Sequence, residues 1–466
     1  MSLLKSPFAS VLLVLASAAA ASAQRPDTLR LSLADAVTKA LRESDEVRLA
    51  AAQIDMTNAQ VTTARATGLP QLRFTGNYTQ VIENARANIV GQIFGQSYNY
   101  STNVNLSQAI FQGGRIIAGA RAAGSIRAAS RMDAAEAQAL MSVGVQRAYL
   151  QVILARELEV IQTRNLELAS ARVELVERLE GAGRASRYEV LRARVERANL
   201  QPGLLQSKAT RELSEIEVRR LLNIAASQPL VLTSTLDTAA LGAMARGVAA
   251  DSTSRPIRAA VRAAEHELDA RNRGITVARA DLLPTVSTFF QTGFTALPSK
   301  SGFPTVRGVS SNALCAPGAP ASQSCQNNGW FPDRSFGVQM AWPLFDGLRS
   351  RGNIELAQAN AKIAEITLRQ ERERVELEEA RAKSEFDRAE AAFVAQRESV
   401  GEADEAFRIA SLRFERGLGT QLEVSDAQLL LLTARTNAAR ATVDYYLAAA
   451  ELARARGLPV PLPPTR

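Results

Sequence analysis

VRLAAAQIDMTNAQVTTARATGLP fills Val47–Pro70, and VRAAEHELDARNRGITVARADLLP fills Val261–Pro284. The two stretches share the opening Val-Arg, the pairs Asp55/Asp269 and Asn58/Asn272, an Ala-Arg-Ala and a closing Leu-Pro. A repeat of this kind takes precedence over residue-by-residue patterns, because one structural plan then has to serve twice. Further matches extend it. Ile110-Phe111-Gln112-Gly113 returns as Leu344-Phe345-Asp346-Gly347, and Gly183-x-x-Ser186-x-x-Glu189-Val190 returns as Gly417-x-x-Thr420-x-x-Glu423-Val424. The interval from Phe111 to Val190 equals that from Phe345 to Val424, so the second copy differs in length only between Pro284 and Leu344.

Each copy runs in the same order. A helix (47–68; 256–281) ends at Leu-Pro, because the residue before proline is pushed out of the α region; Pro70 and Pro284 therefore mark helix–strand junctions. Alternating segments follow. Leu72, Phe74, Gly76 and Tyr78 alternate with Arg73, Thr75, Asn77 and Thr79, and Tyr98, Tyr100, Thr102, Val104 and Leu106 alternate with Asn99, Ser101, Asn103, Asn105 and Ser107. In the second copy Val286, Thr288, Phe290 and Thr292, and then Phe336, Val338, Met340 and Trp342, do the same. A period of two specifies strands. One apolar face carrying aromatic residues and one small, polar face suit a transmembrane barrel, although a half-buried soluble sheet shows the same alternation. Four strands of about ten residues cannot close a barrel, whose bacterial minimum is about eight. A barrel therefore requires strands from several chains.

Gly113 and Gly347 mark the return from strand to helix. Two proline-free stretches then run from Arg115 to about Glu180 and from Arg349 to about Arg416. At 1.5 Å per residue each is a rod of about 100 Å. Phe386, Phe393, Val400, Phe407 and Phe414 recur every seven residues, as do Leu154, Ile161, Leu168 and Leu175. Sustained heptads predict coiled-coil packing. A turn and a second helix (187–224; 421–456) complete each copy, giving long hairpins over 114–224 and 348–456.

The turns have a local cause. Gly183 and Gly417 supply the left-handed cap that stops a helix, and Ser186-x-x-Glu189 and Thr420-x-x-Glu423 form capping boxes that start the next. Asp426 is not needed for capping, and its counterpart in the first copy is Arg192. It lies three residues after Glu423, so both acids share a helix face. In an oligomer with an axial pore that face presents a ring of carboxylates.

The chain ends and composition narrow the class. Lys5, an apolar run from Phe8 and Ala21-Ser22-Ala23 read as a secretory signal over residues 1–23, too short for a membrane anchor. The net charge of +8 comes with basic residues interleaved with Glu, as in Glu371-Arg372-Glu373-Arg374, which describes solvated helix faces rather than a nucleic-acid patch. Cys315 and Cys325, in a Pro/Gly/Ser/Asn-rich loop of an exported chain, predict a loop disulfide. Neither they nor the single histidine, His266, has metal or redox spacing, and no nucleophile–base motif or phosphate loop marks an enzyme; no cofactor is expected.

In its duplicated order, its Ala-Arg-Ala-x-x-Leu-Pro, its Phe-x-Gly after the second strand and its Gly-x-x-(Ser/Thr)-x-x-Glu-Val turns, the chain resembles the outer-membrane efflux proteins, the TolC-like family of Gram-negative bacteria. The resemblance covers essentially all of the chain after the signal. It implies a mainly α fold with a transmembrane part: a homotrimer whose twelve-stranded β-barrel lies in the outer membrane, in contact with its lipid, and continues as an α-helical tunnel through the periplasm. The first repeat is then 24–254, with its β-hairpin at 71–110 and an equatorial segment at 225–254; the second is 255–466, with its hairpin at 285–344 and a Pro-rich tail. Residues 28–43 and 226–254 build an equatorial belt, with Ser32-x-x-Asp35 capping a short helix. The turns at Gly183, Ser186, Glu189, Gly417 and Thr420 dock a periplasmic membrane fusion (adaptor) protein, which links to an inner-membrane RND or ABC transporter. Glu423, where the family carries Asp, and Asp426 line a periplasmic entrance that gates passive conduction of drugs, metal ions, siderophores or secreted proteins. A periplasmic adaptor would instead carry one hairpin between β-rich halves, and a secreted coiled-coil protein would lack the amphipathic strands.

Overall fold

The computed structural model describes residues 28–83, 98–234, 247–248, 256–298, 301–303, 306–307 and 329–461. The expected signal sequence and the expected Cys315–Cys325 disulfide lie outside the described residues. In chain order the elements are β1 (Leu29–Leu31), α1 (Leu33–Glu43), α2 (Asp45–Ala66), β2 (Gln71–Gln80), β3 (Tyr98–Gln112), α3 (Arg115–Gly181), α4 (Arg187–Leu221), β4 (Leu230–Leu232), α5 (Ala259–Arg279), β5 (Thr285–Ala296), β6 (Val306–Arg307), β7 (Gly329–Ala341), α6 (Arg349–Glu415) and α7 (Gln421–Ala455). The chain divides into two compact units that cut across the repeats: Gln53–Arg131 with Ala263–Gln370, and Met1–Ala52 with Met132–Arg262 and Glu371–Arg466.

The first of these units holds the sheet, in the order β2-β3-β5-β7-β6. Its four long strands are antiparallel, and β6 adds a two-residue parallel pair to β7. The register puts the apolar positions in rows. Leu72, Leu106, Phe290 and Phe336 lie opposite one another along one row, and Phe74 faces Val104 in the next. The other face carries Arg73, Asn105, Gln291 and Ser335 in a row. A slip of one residue would exchange the faces, so the alternation itself fixes the register. The β3–β5 register shifts between Ala109 and Phe111, a bulge at Ile110 next to the strand's end. Phe289, an aromatic on the polar face, lies over Gly337, where a Cβ would come within 2.8 Å of its ring. The apolar face is bare: Leu72, Phe74, Phe336 and Met340 are all more than 60% exposed. A soluble sheet buries such a face.

At the sheet's foot Pro70 and Pro284 immediately precede β2 and β5, and Gly113 and Gly347 stand between the sheet and α3 and α6. Gly113 adopts φ +59°, and a Cβ there would sit 3.0 Å from Leu283 Cβ and 3.1 Å from Ala280 Cα. Backbone conformation and close approach both require glycine at this junction.

The second unit is helical around a small parallel pair, β1 with β4. Three-residue segments such as Leu29-Arg30-Leu31 carry no readable period, and the sequence did not predict them. Tyr149 on α3, fully buried, ties them together. Its hydroxyl donates to Leu31 O at 2.9 Å and accepts from Ser234 N at 3.0 Å. Ser32 starts α1 with the expected capping box to Asp35. Leu33, Val37, Val145, Val152, Leu222 and Tyr446 complete the core around them. Burial of the Tyr446 phenol pushes its pKa well above the ordinary value.

α3 and α4 form the first hairpin, laced by Arg156–Glu215 at 3.0 Å, Arg211–Glu159 at 2.7 Å and Arg194–Glu177 at 2.6 Å. As partly exposed pairs, each contributes at most about 1 kcal/mol. α4 contains Pro202 without ending there. α6 and α7 form the second hairpin, with Phe386 and Ala389 buried and Phe393 stacked on Tyr445 at 5.2 Å. The heptad stripe is therefore a packing face. In the first copy the deepest positions include Ala169, Val173 and Val176, beside Leu168 and Leu175 rather than on them.

Candidate entrance site at the two helical turns

The two turns are built alike. α3 ends at Gly183, φ +69°, and α6 ends at Gly417, φ +75°. Behind each glycine the next residue's N–H reaches back across the last turn: Arg184 N donates to Leu179 O and Leu418 N to Arg413 O, both at 2.8 Å. This double closure is a Schellman cap, and an L side chain at either glycine would be strained. The following helices start differently. Ser186 Oγ accepts from Glu189 N at 3.3 Å and Ser186 N donates to Glu189 Oε2 at 2.6 Å, a complete capping box. Thr420 Oγ1 accepts from Glu423 N at 3.3 Å, but the reciprocal bond from Thr420 N is not among those formed at this cap. The sequence expectation of two equal boxes is corrected to one whole and one half. Glu423 Oε1 instead accepts from the Thr420 hydroxyl at 3.5 Å, and its Oε2 lies 3.8 Å from Arg413 Nε.

Asp426 is exposed, as is Glu423. Its positive neighbour is Arg192 on α4, the residue aligned with it in the first copy. The Arg192 guanidinium is held above its ordinary pKa, first by its hydrogen bond to Glu196 at 2.9 Å and, with smaller contributions, by the fields of Glu196, Tyr188 and Asp426. Glu423 thus has Arg413 within 3.8 Å, and Asp426 lies within the field of Arg192. The face is a set of carboxylates flanked by guanidinium groups.

Behind it lies a polar clasp that the sequence did not reveal. Arg172 of α3, with a side chain only 10% exposed, donates to Ser425 Oγ at 3.0 Å and to Gln428 Oε1, and stands 3.7 Å from Glu196. Ser425 Oγ in turn donates to Glu196 Oε2 at 2.9 Å, and Gln428 Nε2 donates to Asn165 O at 3.2 Å. Burial draws the Arg172 pKa down while Glu196 raises it. Ser425 and Gln428 bracket Asp426, so the clasp fixes the face on which Asp426 projects. The turns also expose apolar groups: Tyr188 is 70% and Leu418 69% exposed. Among the described residues no group of three His, Cys, Asp or Glu is arranged to hold a metal ion.

A family model described as "Outer membrane efflux protein" matches residues 36–223 and 257–458, the two repeats in turn. The chain is 24% identical over 285 residues to the solvent efflux pump outer membrane protein SrpC of Pseudomonas putida, a match covering 61% of this chain. It spans 55% of that relative's length. Among solved structures it superposes on the outer membrane protein VceC of Vibrio cholerae with a TM-score of 0.71 at 20% identity, covering 91% of this chain and 96% of that one. On the outer-membrane channel OprN the TM-score is 0.69 at 22% identity, covering 91% and 89%. At these identities the superpositions establish the fold, and the family match, which spans most of the chain, establishes the kinship: the chain belongs to the outer membrane efflux protein family.

Proposed function

We propose that this protein is the exit duct of a tripartite efflux or type I secretion system, conducting cargo passively across the outer membrane. The observation that carries the proposal is the sheet: four long strands with one bare apolar face, one polar face and, among the described residues, no partner on the outer edge of β2. An open sheet cannot sit in hydrocarbon, because every unpaired backbone group there costs several kcal/mol. Three copies, edge to edge, give twelve strands with lipid outside and water within. The helical turns have a separate task. The exposed Tyr188 and Leu418 offer an adaptor apolar anchors, and Glu423 and Asp426 from three chains make a ring of six carboxylates at the entrance. Energy comes from the inner-membrane pump that the adaptor joins.

A ring of acids favours cations. In planar bilayers the double variant Glu423→Ala/Asp426→Ala is expected to raise single-channel conductance and weaken cation preference. Selectivity equal to wild type would remove the ring from the account. Because Arg192 and Arg413 flank the acids, the wild-type preference is expected to fall short of that of an unaccompanied ring.

A further inference from the structure

A second site lies at the foot of the sheet. An open, shallow cavity of about 660 Å³ lies against the end of α2, the first turns of α3 and one face of α5. Arg65, Arg121, Arg127, Arg273, His266 and Asp269 are among its lining, so four guanidinium groups face one carboxylate. Asp269 is already occupied. Ser125 Oγ donates to its Oδ2 at 2.6 Å, and Arg273 Nε donates to the same atom at 3.0 Å. Arg65, Arg121 and Arg127 make no ion pair among the described residues. The cavity also has an apolar lip, Ile116 and Ile117, the latter 61% exposed. Leu69 and Leu282, beside the two Pro junctions, are likewise exposed. α3 and α5 join the central strands β3 and β5, and the end of α2 joins the edge strand β2. Arg65 is the penultimate residue of α2, and Arg121 lies six residues, about 9 Å, into α3.

Planar, unpaired guanidinium groups beside exposed aliphatic side chains, just below a lipid-facing sheet, match a phosphate on an acyl-chain body. The geometry points to a binding site for the headgroup of an anionic phospholipid from the periplasmic leaflet, gripped by Arg65, Arg121 and Arg127 with its chains over Ile117. The inference rests on the sheet being membrane-embedded. A bound headgroup there anchors the helices at the height where they leave the bilayer, a role that Arg fulfils better than Lys because its fork engages two phosphate oxygens.

The test uses the full-length protein, stripped of lipid by detergent exchange and offered phosphatidylglycerol or phosphatidylcholine in equal amounts, with bound lipid counted by native mass spectrometry. Wild type is expected to retain phosphatidylglycerol about fivefold or more over phosphatidylcholine. The triple variant Arg65→Gln/Arg121→Gln/Arg127→Gln should lose that preference while keeping the wild-type assembly on unheated gels. Equal retention of both lipids by wild type, or an undiminished preference in the variant, overturns the site. Displacement of phosphatidylglycerol by millimolar inorganic phosphate would assign the cavity to a free anion and also overturn it; persistence of the lipid supports it. Reconstitution into phosphatidylcholine vesicles separates the two levels. Failure to insert removes the membrane reading and the site with it, whereas insertion without lipid preference removes the site alone.

Discussion

Arg258 shows what a single charged residue can hold in this fold. Its side chain is 5% exposed and contacts Glu136 on α3 at 2.5 Å and Glu378 on α6 at 2.6 Å; Arg454 on α7 stands 3.4 Å from each of the same acids. Burial opposes the Arg258 charge, but the hydrogen bonds of Glu136 and Glu378 outweigh it and raise its pKa. Glu378 moves the other way. Burial would raise it, yet the hydrogen bond and charge of Arg258, with Arg454 and Arg374, hold it below the ordinary glutamate value of 4.5. A depressed folded pKa means that this stabilisation is present above pH 4.5 and is lost as pH falls through the folded value. Glu136→Gln leaves Arg258 buried and under-paired, and is expected to cost about 3 kcal/mol in denaturant unfolding at pH 7. In Glu378→Gln the decline of stability between pH 5 and pH 3, read from denaturant midpoints, should be shallower than in wild type; an unchanged slope would show that the network does not titrate. None of these partners was legible in the sequence, because Arg258, Glu136, Glu378 and Arg454 are far apart in the chain and each is one of many charges. Asp426 stands out in the sequence only because the first copy carries Arg192 in its place.

At the level of elements, the boundaries that the sequence marked chemically are where the structure has them. Pro70 and Pro284 precede strands, and Gly183 and Gly417 end long helices with positive φ. These signals are local, so one residue type is enough to state them. What depended on distant partners was not legible. The β1–β4 pair is held by the buried Tyr149, and the clasp of Arg172 with Ser425, Gln428 and Glu196 joins three helices. The half-formed box at Thr420 shows the limit of a motif: Ser and Thr with Glu three residues on look alike in sequence, but of the two only Glu189 accepts from the backbone N–H of its cap. The turn as an element yields its own prediction. Gly417→Trp strains a left-handed backbone and places a bulky ring beside Leu418 at the proposed adaptor surface. Export by cells should be abolished while the assembly on unheated gels is retained. Normal export would remove this turn from docking.

For the whole molecule, one plan used twice produces two hairpins and one sheet with four long strands, two from each copy, and the family match follows the same two copies. The compact units nevertheless draw segments from both repeats, so neither copy is a domain in the physical sense. The duplicated order and the strand faces could be read in advance because period two and equal spacing are properties of one chain; closure of a barrel is not, since it belongs to several. The native mass of the full-length protein, extracted from the outer membrane in mild detergent, tests that claim most directly. Three chains per particle are predicted, supplying twelve strands. A monomer or a dimer would contradict the account, because four or eight of these strands are not the barrel it requires.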